Sequence, residues 1–103
     1  MSKFLVTYHG GGEMPADPAM REQMMKAFAA WAAGVGEHMV DPGAPLGAAK
    51  MVTGNGVEED KPGGVGGYTL LSADSLDEAV ALVRDHPFVA RGGTLRVAEA
   101  VAP

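Results

Sequence analysis

Three histidines and an absence of cysteine bound the chemistry open to this chain. His38 and Asp41 stand three apart in "EHMVDPG". A histidine beside a carboxylate is the pair that proton abstraction uses, because the carboxylate fixes the imidazole tautomer and supports its charged form. On a regular strand residues so spaced face opposite ways, so the pair converges only where the chain bends, as Pro42 permits. Asp41 ahead of Pro42–Gly43 equally suits a turn, with its side chain bonded to the backbone two residues on. His9 and His86 form a second candidate group, with Asp85 or Glu13 as its carboxylate. His86 near a helix C-terminus is also explained by the helix dipole alone. The catalytic candidates are therefore His38, Asp41 and His9; the candidates for ligand contact are Tyr8, Gly43 and His86.

Other chemistries find no support. Without cysteine there are no disulfides, thiolate metal sites or thiol nucleophiles. "HGGG" at 9–12 is similar to an oxyanion loop, but no serine stands in a G-x-S-x-G elbow. No glycine run completes a nucleotide-binding fingerprint, and no spacing matches a zinc site, so no cofactor or metal is expected. A net charge of −5 with scattered basic residues argues against nucleic acid. No apolar run is long enough for a signal peptide or a membrane span, so the expectation is a cytoplasmic protein.

The elements that must position these residues follow from periodicity. "KFLVTYH" reads as a strand with Phe4, Val6 and Tyr8 on one face and Leu5 and Thr7 on the other. "DPAMREQMMKAFAAWAAGVG" reads as a helix capped by Asp17, with Pro18 in its first turn and a stripe of Met20, Met24, Ala27, Phe28, Trp31 and Val35. Met25 lies off that stripe and is a candidate for contact with another subunit or loop. "EHMVD" and "LGAAKMVT" read as two parts of one strand region, at an edge or bulged where its prolines fall. "GNGVEEDKPGGVGG" reads as a flexible hairpin tip. "GYTLLSA" is a strand, and "SLDEAVALVRDHP" a helix with Ser75 and Glu78 in capping-box spacing. Leu76, Ala79, Val80 and Val83 form its buried stripe, and "TLRVAEAV" is the last strand.

The order β-α-β-β-α-β predicts a single α+β domain over 1–103: a ferredoxin-like sandwich with an antiparallel four-stranded sheet and two helices on one face. Apolar residues on both faces of the first and last strands predict that a second copy covers the open face, giving a homodimer through the sheet.

The stretches "FLVTYHG", "DPGAPLG", "GGYTLLSADSLDEAVALVRDHP" and "GTLRVAEAV" together resemble the YCII-related, DGPF-like proteins of the dimeric α+β barrel superfamily. The resemblance implies a ferredoxin-like subunit, a homodimer and a cleft at the sheet. In some members it implies dehydrochlorination of hydroxylated aromatics by a His–Asp pair. This chain departs from the pattern twice: its first helix lacks the family's histidine, and "DKPGGVGG" stands in place of DGPF. The expectation is a protein that binds or transforms a small aromatic or lactone-like molecule by cofactor-free proton transfer, with His38 or His9 as base and Asp41 orienting it. The alternative is a non-catalytic ligand-sensing or accessory homodimer that recruits a protein partner.

Overall fold

The computed structural model describes residues 1–10, 16–59 and 64–102. Four strands build its main sheet, in the order β2-β5-β1-β6: β1 (Ser2–His9), β2 (Met39–Pro45), β5 (Gly67–Ala73) and β6 (Thr94–Glu99). Every pairing is antiparallel. Helices α1 (Pro18–Val35) and α2 (Leu76–Val83) and a short α3 (Pro87–Ala90) follow in the chain order the sequence predicts, with one helix more. This is the ferredoxin-like α+β sandwich.

The core forms where β1 and β5 lie side by side. Their register sets Phe4 against Leu71 and Val6 against Thr69, so alternation sends Phe4, Val6, Thr69, Leu71 and Ala73 to the helix side. Phe4, Val6 and Leu71 are fully buried there, and each such side chain contributes about 1.5–3 kcal/mol. Trp31 and Val35 of α1 and Ala79 and Val83 of α2 close the layer. The Trp31 indole donates to the Leu82 carbonyl at 2.9 Å and ties α1 to α2.

Several sequence expectations need correction. Of the α1 stripe only Trp31 and Val35 are buried; Met20 stands exposed with Met25, and Met24 is half-buried beside Arg91. Leu76 and Val80 of the α2 stripe are exposed, since β6 is an edge strand and no described element lies beyond it. Pro87 starts α3 rather than merely ending α2, occupying the first turn where its missing N–H costs nothing. "LGAAKMVT" does not rejoin the β2 ladder. It supplies β3 (Lys50–Thr53), which pairs with β4 (Gly56–Glu59) across the turn at Gly54–Asn55. Part of the expected flexible tip is thus a strand, while Asp60–Gly63 lie outside the described residues. The face away from the helices is mixed rather than apolar. Leu95 and Val97 turn toward the helices, and the open face carries Lys3, Leu5, Thr7, His9, Tyr68, Leu70, Ser72, Arg96 and Ala98.

Candidate functional site

The DPG sequence of β2 makes a bulge. Strand β2 slips register on β5 between Met39 and Asp41 and again between Asp41 and Ala44. Asp41 accepts the Gly43 N–H at 2.8 Å, closing the turn that its position before Pro42 allows. Gly43 sits at φ +75°, where a side chain would meet the Tyr68 carbonyl oxygen at 1.7 Å. The bend turns the Pro42 carbonyl inward to accept the Thr69 hydroxyl at 2.9 Å.

That hydroxyl ends a hydrogen-bonded chain whose direction is fixed throughout. The Phe88 backbone N–H donates to His86 Nδ1 at 3.0 Å, so a neutral ring carries its proton on Nε2. His86 Nε2 lies 2.8 Å from the Tyr8 hydroxyl, which lies 2.7 Å from Thr69 Oγ1. Because Thr69 gives its proton to Pro42, it accepts from Tyr8, and Tyr8 accepts from His86. The imidazole is only 3% exposed and sits among Tyr8, Phe28 and Trp31, with ring centroids 5.1, 5.7 and 4.3 Å away. Burial, helped by the Arg91 cation, lowers the His86 pKa to about 4. Burial also raises the Tyr8 pKa, against the opposing hydrogen bond to Thr69. His86 is therefore a neutral cap at the start of α3, not a cation at the end of α2. Both its nitrogens are engaged. The group orders the fold and offers no lone pair to a ligand.

His9 follows Tyr8 but points to the open face, where its Nε2 lies 2.8 Å from the Thr7 hydroxyl. His9 and His86 thus reach the same end of the sheet on opposite sides of it, so they form no shared mouth. Glu13 lies outside the described residues.

His38 stands at the other end. Lys3 pairs with Ser72 and Tyr8 with Gly67, five residues further along, or about 17 Å at the rise of an extended strand. His38 Nδ1 lies 2.8 Å from the Ser72 carbonyl, which can only accept, so Nδ1 carries the proton and Nε2 keeps its lone pair. Glu78 Oε1 lies 3.7 Å from the same Nδ1 and also accepts the Asp74 N–H at 3.1 Å. The imidazole is partly exposed. The carboxylate beside His38 is thus that of Glu78, while Asp41 serves the bulge. Ser72 and Glu78 escaped the sequence reading as site residues. Glu78 showed only its capping role, which it keeps: Ser75 Oγ accepts the Glu78 N–H at 3.1 Å.

Fold and site define a ferredoxin-like α+β protein with one tautomer-fixed, accessible histidine at the end of its sheet. The chain belongs to the YCII-related domain family, whose model matches residues 3–100. Comparison with curated proteins brings up no relative. Among solved structures the chain is similar to 5-chloro-2-hydroxyhydroquinone dehydrochlorinase from Burkholderia phenoliruptrix, in complex with 2,5-dihydroxybenzoquinone. The two share 20% identity over 91% of this chain and 90% of that one, with a TM-score of 0.53. That likeness speaks for the fold.

Proposed function

We propose that this chain is a small-molecule protein of the YCII family that acts on a small aromatic by cofactor-free proton transfer, with His38 as base. One observation carries this reading: the Ser72 carbonyl holds the His38 proton on Nδ1, which keeps the lone pair on Nε2 of a partly exposed ring. A base in that state takes a proton without first losing one, and the Glu78 carboxylate lies 3.7 Å from its Nδ1. Lys3, which shares a sheet row with Ser72, offers a cation for a developing phenolate. The ligand class is supported by the dihydroxybenzoquinone held by the structurally similar dehydrochlorinase. Asp41 and Gly43 contribute by shaping the edge, and Tyr8 and His86 by fixing the frame. His9 is the second base candidate, on the open face. A homodimer through that face, with Leu5, Leu70 and Ala98 at its centre, would close a cleft over His9.

The dispersal of the three histidines favours a second reading, a ligand-sensing or accessory homodimer without turnover. Binding of 2,5-dihydroxybenzoquinone by calorimetry and turnover of a chlorinated hydroxyhydroquinone separate the two. Under the first, His38→Gln leaves affinity within a few-fold and lowers kcat by about 10²–10⁴. Turnover that survives both His38→Gln and His9→Gln would remove the proton-transfer reading. Binding without turnover in the unaltered protein would establish the second.

A further inference from the structure

Two parts of the subunit lie without a partner among the described residues, at opposite edges of the sheet. Val52 and Val57 face each other across the β3–β4 hairpin and are 79% and 64% exposed, and no residue of either strand is buried. A two-stranded hairpin alone in water is marginal. At the far edge, Leu76, Val80, Val89, Leu95 and Val97 line an open apolar groove between α2 and β6, with Arg84 in its wall. Strand β6 is an edge strand, so one row of its N–H and C=O groups has no ladder partner. The hairpin leaves the sheet from β2, and β5 and β1 stand between it and the groove of its own subunit.

We propose that the hairpin of one copy docks into the α2–β6 groove of a second copy, reciprocally about a twofold axis. The inference rests on the homodimer proposed above and names a contact that a sheet-to-sheet dimer does not require. A twofold axis along the strands lays β2 of one copy over β6 of the other, so each hairpin would reach around the partner's β6 edge to the groove on its helix side. The Val52–Val57 pair matches the apolar lining. Glu58 beside Val57 and Arg84 in the groove form no ion pair among the described residues of their own subunit, and their charges are opposite. Since one chain carries both halves, the reciprocal contact closes at two subunits.

The absence of native cysteine makes a direct test possible. Val52→Cys and Val80→Cys variants, one lengthened by a tag, are mixed and mildly oxidised. The expected product is a mixed disulfide-linked dimer, with little cross-linking in either variant alone. In sedimentation, the Val52→Asp/Val57→Asp double variant should dissociate at a concentration at least tenfold higher than the unaltered chain, with circular dichroism unchanged. A dimer that sediments intact but yields no mixed cross-link overturns the docking and leaves the open-face dimer standing. Equal cross-linking of Val52→Cys alone, or a chain that sediments as a monomer, also overturns it, the latter together with the dimer itself.

Discussion

The three histidines occupy three different electrostatic situations, and each predicts its own behaviour. His86 is held neutral in the folded chain with a pKa of about 4, against an ordinary value of 6.5. The unfolded chain therefore binds the extra proton first as pH falls. The stabilisation from a neutral His86 is complete above about pH 6.5 and drains away as pH drops toward about 4, by an amount on the order of 3 kcal/mol. Urea midpoints measured from pH 7 to 4 should fall through that window, and His86→Gln, which cannot titrate, should flatten the slope. Tyr8→Phe removes the oxygen that joins His86 to Thr69, leaving two buried groups short of a partner at a cost of about 1–3 kcal/mol. A melting temperature unchanged in Tyr8→Phe would mean the relay carries no stability. The sequence marked every histidine and Tyr8 as worth watching, because those residue types are scarce and reactive. It could not assign their partners. Thr69, Ser72 and Glu78 reach Tyr8 and His38 only through β-sheet register and the placement of α2, which no local spacing encodes.

Elements were legible where one segment determines its own shape. Asp17 with Pro18, and Ser75 with Glu78, cap α1 and α2 as their spacing predicts, since a cap is a bond among near neighbours. The prolines of β2 placed it at an edge for the same local reason. The extent of burial was not legible, because it depends on what arrives from elsewhere: the α1 stripe continues past the sheet that would cover it, and the β3–β4 hairpin leaves the sheet altogether. The bulge gives this scale its sharpest test. Gly43→Ala forces a side chain into the Tyr68 carbonyl at a left-handed φ, so it should cost about 3 kcal/mol or more and uncouple Pro42 from Thr69. Gly54→Ala, in the hairpin turn with nothing near its Cβ position, should change stability by no more than about 1 kcal/mol. Equal melting temperatures for the two variants would show that β2 can be redrawn without the bulge.

The whole molecule is more extended than its length requires. Its radius of gyration is 15.0 Å, where about 13 Å is usual for a chain near this size. Its extents of 44 × 42 × 19 Å describe a plate, with hairpin and α1 reaching beyond the core. Among the described residues fourteen large apolar side chains stand exposed, including Met20, Met25, Val52 and Val57 on those projections. The open sheet face adds less to this than the sequence implied: alternation sends Leu95 and Val97 to the helices and leaves Leu5, Leu70 and Ala98 as its apolar centre. A dimer closed on that face thus has a small apolar centre within a polar rim of Lys3, Arg96 and His9. Such an interface is sensitive at its middle and tolerant at its edge, because desolvated contacts carry most of the affinity. Leu70→Lys would place a charge at the centre and should weaken self-association at least tenfold in sedimentation equilibrium. Lys3→Gln at the rim should change it by less than threefold. Should both variants associate like the unaltered chain, the open face is not where two copies meet. The exposed hairpin and α1 would then have to account for any dimer by themselves.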